Sequence, residues 1–144
     1  MTHEATARAH RRAAVLALYQ LDAGRHDDPN SVRDGLISVD LPAEARRKGL
    51  AAAHDVWTNR ETLDARIETE STDWPVHRQP AVDRAILRLA TWELEQGESP
   101  PAVILEEAVR MAHEFGTERS AGFVNAILDA LAHPPDNPPA TPAD

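Results

Sequence analysis

Apolar residues recur along this chain at the three- and four-residue spacing of amphipathic helices, and no segment shows the alternation of a half-buried strand. In the stretch ATARAHRRAAVLALYQLDAG, residues 5–24, Ala14, Leu18 and Leu21 fall on one face with Val15 and Tyr19 beside them, and Gly24 closes the pattern. Turn formers follow in RHDDPNS, and VRDGLIS then reads as a short helix. Pro42 stands where a helical first turn can open. Residues 43–70 read as one long helix or two joined ones, marked by Leu50, Val56, Leu63 and Ile67. STDWPVHRQP breaks this run. In AVDRAILRLATWELEQG, Val82, Ala85, Ile86, Leu89, Ala90 and Leu94 trace one face, and Gly97 ends it. Ser99 is the expected cap of the next helix, with Pro100 and Pro101 in its first turn and an apolar stripe of Val103, Ile104, Ala108, Met111, Ala112 and Phe115. Gly116 stops it, TERS opens the last helix, and Val124, Ile127, Leu128 and Leu131 line up there.

The pattern predicts an all-α, bundle-like single domain of six to seven helices over residues 1–133. Residues 134–144 are proline-dense and poor in apolar side chains, so a disordered tail is expected. Composition narrows the core: 42% of residues are hydrophobic but only 4% aromatic, which leaves Leu, Ile, Val and Ala to fill it. The absence of cysteine excludes disulfides, thiolate metal sites and a thiol nucleophile. No apolar run approaches the roughly 20 residues that cross a bilayer, and the N-terminus lacks the pattern of a signal peptide, so a cytoplasmic protein is expected.

Candidate chemistry is sparse. The seven histidines, among them His54, His77 and His113, show no paired spacing suited to a metal. Glu93, Glu95, Glu98, Glu106 and Glu107 fit solvated helix faces better than an acid–base pair. The six glycines are scattered and form no phosphate loop. Neither a catalytic residue, a metal ligand nor a cofactor is expected, which points to a binding module. Charge singles out one segment. Arg8, Arg11 and Arg12 face only Glu4 in the first twelve residues, giving them a net charge of +2 and leaving −11 on the rest of a chain whose formal charge is −9. On a helix these arginines fall within one turn and are expected to share a face. Cations at a helix N-terminus oppose the macrodipole, so a reason beyond local stability is called for. Phosphate binding by the arginines and the first-turn N–H groups supplies one. A solvated end that happens to be basic is the alternative.

Three segments, RAHRRAAVLALYQLD, DRAILRLATWEL and AVILEEAVRMAHEFGTERSAGFVNAILDAL, occur in this order over roughly residues 7–131, and together they resemble the NusB family of RNA-binding factors in bacterial transcription antitermination. The resemblance implies an all-helical fold with two small helical subdomains packed together. It implies boxA-type single-stranded RNA as ligand, NusE (a small ribosomal subunit protein) as partner, and membership of an RNA polymerase antitermination complex on ribosomal RNA operons. No membrane association is implied. Matched residue by residue, Arg8, Arg11, Arg12, Tyr19, Phe123 and Asn125 become the RNA-binding candidates, and Asp83, Arg119 and Phe123 the partner-binding ones. Asp83 should face the partner from the outer side of the middle helix, and Phe123 should lie exposed at the edge of the last helix. Asn125 and Ser120 also suit structural roles.

The chain departs from the family pattern in places. Ala121-Gly122 replaces a common His-Lys, Arg119 a common Asp, Glu106 a common Asn and Ala126 a common Gly, while Arg12 stands where many relatives are acidic. These changes touch the recognition side. A non-catalytic protein–protein adapter, or an accessory factor in ribosomal RNA maturation with weakened RNA binding, is therefore the alternative function.

Overall fold

A computed structural model describes residues 3–25 and 40–134, and these are helical with no strand among them. The VRDGLIS segment and residues 135–144 lie outside the described residues. Helix α1 spans His3–Gln20 and runs into a wide turn, Leu21–Arg25, where Gly24 adopts φ 96° and ends the helix as its sequence position suggests. Then come α2 (Ala43–Thr58), α3 (Arg60–Glu70), a 3-10 turn (Val76–Arg78), α4 (Ala81–Gln96), α5 (Pro101–Phe115) and α6 (Ser120–Ala132). The 43–70 run is two helices. Asn59 leaves helical geometry at φ −100° and ψ 14°, and its side-chain amide donates to the Asp55 carbonyl at 2.8 Å.

Prolines open three of the helices. Pro42, Pro80 and Pro100 each precede a first turn at φ between −55° and −61°. Their carbonyls accept the first helical N–H groups, from Arg46, Arg84 and Ile104, at 2.9–3.1 Å. The fixed proline φ does the work usually done by a capping side chain. Ser99 is accordingly not a cap, contrary to the sequence expectation; its hydroxyl accepts from Arg11 Nη2 at 3.4 Å. Gly97 closes α4 in the left-handed region at φ 71°.

Helix α4 is the axis of the fold. Every residue from Ala85 to Thr91 is buried, so side chains on all sides of the helix meet protein. Helices α1 and α2 pair on one flank and α3, α5 and α6 gather on the others. One core joins the two groups, drawing Val15 and Leu18 from α1, Val56 from α2, Leu63 and Ile67 from α3, Ile86 from α4, Ile104 from α5 and Leu128 from α6. A smaller cluster of Ala9, Ala13, Leu41 and Ala45 seals the α1–α2 seam. Gly49 permits that seam: a Cβ there would stand 2.5 Å from Ala13 Cβ and 2.8 Å from the His10 carbonyl oxygen. Val103, expected in the stripe of α5, is instead 39% exposed.

The burial of α4 along this stretch sets its arginines into ion pairs. Arg88 grips Asp64 on α3 through two contacts of 2.7 and 2.8 Å, and its Nη1 lies 3.7 Å from Asp22. Arg84 reaches Asp22 at 2.6 Å. Buried guanidinium groups need such partners, and this network ties the end of α1 to α3 and α4.

Candidate nucleic-acid interface

The three arginines of α1 do not share one face as expected. Arg8 and Arg12 reach over α5, where Arg8 Nε meets Glu107 at 3.1 Å and Arg12 Nη2 meets Glu114 at 2.8 Å. Arg11 turns the other way, into the α1–α4 groove. Its Nε lies 3.1 Å from both oxygens of Glu93, its Nη2 is 2.9 Å from one of them, and its side chain is only 11% exposed. Helical spacing separates the roles: residues 8, 12 and 19 fall within about 40° of one another around α1, and residue 11 lies about 60° off.

The glutamates read as solvated are thus partly structural. Glu107 is buried between Arg8 and Arg110, and Glu93 is held by Arg11. Glu95 and Glu106 fit the expectation better, in exposed pairs with Arg66 and Arg110. Because α1 begins at His3, the three arginines lie beyond its first turn, where the macrodipole has largely faded, and carboxylates from α4 and α5 pair them.

Aromatic surface continues the Arg8–Arg12 line. The Arg12 guanidinium carbon stands 5.8 Å from the centre of the Phe115 ring. Phe115 and Tyr19 both line a cleft of about 270 Å³, closed by Pro80, Ala81, Val82, Asp83, Gly116 and Thr117. Tyr19 is 45% exposed at its edge, which places the tyrosine outside the core.

Asp83 contradicts its expected placement. It is 2% exposed, and its Oδ1 accepts the Ser120 hydroxyl at 2.7 Å. Burial pushes the Asp83 carboxyl above its ordinary range, with the Ser120 hydrogen bond opposing. The pair joins the first turn of α4 to the first turn of α6. Ser120 Oγ also accepts the Thr117 N–H at 2.9 Å, and Gly116 leaves room for it, since a Cβ there would strike that hydroxyl. The sequence signal was present in the serine at the start of the last helix, but the acid 37 residues earlier could be paired with it only in three dimensions.

Beyond this latch, α6 presents Phe123 half-buried at the core edge, with Arg119 and Asn125 exposed. The Phe123 ring lies 4.9 Å from that of Trp74, a residue sequence reasoning left in a loop. In the α1–α2 seam His10 Nε2 is buried without a hydrogen-bond partner among the described residues. Burial, reinforced by Lys48, holds the His10 imidazole below its usual range. His54, His77 and His113 come together in no group of three metal-ligating side chains among the described residues, and no described helix is long and apolar enough to cross a membrane.

An arginine–aromatic face fixed on a rigid helical frame defines a helical binding domain. The chain belongs to the NusB family, whose model matches residues 8–133. It is 35% identical over 133 residues to the transcription antitermination protein NusB of Herpetosiphon aurantiacus, covering 88% of this chain and 90% of that one. Among solved structures, the NusB of T. maritima superposes with a TM-score of 0.77 at 31% identity over 88% of this chain and 90% of that one. The fold is also that of a chain in a crystal structure of the antitermination factors NusB and NusE in complex with dsRNA, at TM-score 0.76 and 22% identity over 88% of this chain and 96% of that one.

Proposed function

We propose that this chain is a cytoplasmic RNA-binding transcription antitermination factor, which takes up boxA-type single-stranded RNA together with NusE and promotes processive transcription of ribosomal RNA operons. It acts by assembly and not by catalysis. The observation that carries the reading is the line of Arg8, Arg12 and Tyr19 along one face of α1, continued by Phe115. Guanidinium groups supply bidentate phosphate contacts, and exposed aromatic rings offer faces to unpaired bases. Arg11 belongs to the frame, positioning α1 on α4. Asp83 is likewise a positioning residue for the start of α6 and not a partner contact. Arg119, Asn125 and Phe123 remain on the surface near that start, for RNA or for the protein partner. The acidic remainder keeps nucleic acid off other faces and suits a basic ribosomal protein.

The test is the salt dependence of binding to a boxA-type single-stranded RNA. Each phosphate contact contributes about 0.7 to the log–log salt slope, so Arg8→Ala/Arg12→Ala should flatten it by about 1.4. Arg11→Ala should lower thermal stability and leave the slope as it is. An unchanged slope and affinity in the double variant would overturn the assignment.

A further inference from the structure

Among the described Phe, Trp and Tyr residues outside α1, Trp74 is the most exposed, at 38%, and nothing in the arginine line accounts for it. The other two tryptophans are engaged. Trp57 is covered by Arg60 and Arg88, at 4.1 and 5.6 Å from the ring centre, and Trp92 donates its indole N–H to Asp55 at 2.8 Å. The Trp74 indole N–H has no hydrogen-bond partner among the described residues.

The turn that carries Trp74 is pinned. Its N–H donates to the Ser71 carbonyl at 3.2 Å, and its carbonyl accepts from Ser71 Oγ at 2.6 Å and from Gln79 Nε2 at 3.1 Å. Ser71 and Gln79 are both buried, and Val76 two residues on is anchored in the core with its N–H on Glu68 Oε2. A ring on a turn fixed in this way is presented, not frayed. It meets Phe123, half-buried at the core edge, at 58° between planes, so the two rings make a tilted pair of which Trp74 is the exposed member.

We propose that Trp74 and Phe123 form one two-ring platform that takes an unpaired RNA base, extending the RNA surface from α1 to the Ser71–Gln79 turn. This rests on the proposed RNA-binding function. The surroundings fit stacking more than charge. Arg78 follows Trp74 on the same turn and Arg119 precedes Phe123 by one helical turn; both are exposed and make no ion pair among the described residues. Asp73 and Glu118, also exposed, balance them locally. Recognition here is therefore by ring faces and by the free indole N–H, with little counterion release.

That gives the platform a signature distinct from the arginine line. Trp74→Ala should weaken binding of the boxA-type RNA about 5- to 150-fold, the range for loss of one stacked base, while its salt slope stays at the wild-type value. Trp74→Phe should retain most of the affinity. Trp74→Leu, which keeps apolar volume without the π-face, should melt near wild type yet bind like the alanine variant. RNA should also quench the tryptophan fluorescence of wild type more than that of Trp74→Phe. If Trp74→Leu binds RNA like wild type while Arg8→Ala/Arg12→Ala still flattens the slope, the platform is refuted and the RNA-binding reading stands. If Trp74→Leu loses only the protein partner, the ring is a protein contact and the proposal is overturned. Failure of wild type to bind RNA at all overturns both.

Discussion

Alanine at Gly49 poses a contest between local and tertiary preference. In an isolated helix the change is favourable by about 1 kcal/mol. In the seam, the added methyl would meet Ala13 Cβ at 2.5 Å, the His10 carbonyl oxygen at 2.8 Å and the Ala14 nitrogen at 2.9 Å. Carbon atoms pack at about 3.5–4.0 Å, so α1 and α2 must part by roughly an ångström. Two of the three obstacles are backbone atoms, which no rotamer change can move. Overpacking of this kind costs about 1–3 kcal/mol, and parting the helices also loosens the cluster of Ala9, Ala13, Leu41 and Ala45. With the upper half of that range set against the helix gain, Gly49→Ala should lose about 1–2 kcal/mol. For a chain of this size that is a fall in Tm of roughly 3–8 °C. Urea denaturation followed by far-ultraviolet circular dichroism reads the change in midpoint at constant m-value. A variant as stable as wild type, or more so, would show that the seam yields freely and that Gly49 is not what sets the approach of the two helices.

Two further outcomes follow from the ion pairs and the latch. Asp83 ionises in the folded protein only above its ordinary value of 3.8, so its contribution to stability is whole below that value and is lost as pH rises through the raised folded value. Asp83→Asn keeps an acceptor for Ser120, so urea midpoints should match or exceed wild type at pH 7 and fall less steeply above pH 3.8; unfolding of the variant at pH 7 would contradict this. Glu114→Gln releases Arg12 from an exposed pair worth about 0.2–1 kcal/mol, and fluorescence anisotropy should show RNA affinity rising about 1.5- to 5-fold. Unchanged or weaker binding would mean that Arg12 does not reach the RNA.

Helix positions were legible in the sequence because burial on one side leaves a period, and prolines and glycines punctuate it. Helix α4 shows where that reading stops. Its clean stripe of Val82, Ile86 and Leu89 suggested an outer face for Asp83, but neighbours on every side bury that face as well. Arg11 was named among the RNA-binding candidates, but its turn into the α1–α4 groove was not legible. Its carboxylate lies 82 positions away, and the pairs of Arg8 and Arg12 span 99 and 102. No local pattern marks such partners, and an arginine beside two others looks the same whether it faces solvent or a groove. Trp74 sat in a segment recognised only as a helix break, and its pairing with Phe123 depends on how a loop folds back onto the last helix.

Because Arg8 and Arg12 already rest on Glu107 and Glu114, an incoming phosphate does not find a vacant cation. It must replace a carboxylate, and a single replacement yields little. A mononucleotide exchanges one contact for another and gains almost nothing, whereas a strand long enough to engage both arginines while laying bases on the rings collects several contacts in one event. If these arginines take RNA phosphates as proposed, their pairing sets a minimum length for the ligand. It would turn a surface that could have held any small anion into one that responds to a continuous stretch of RNA.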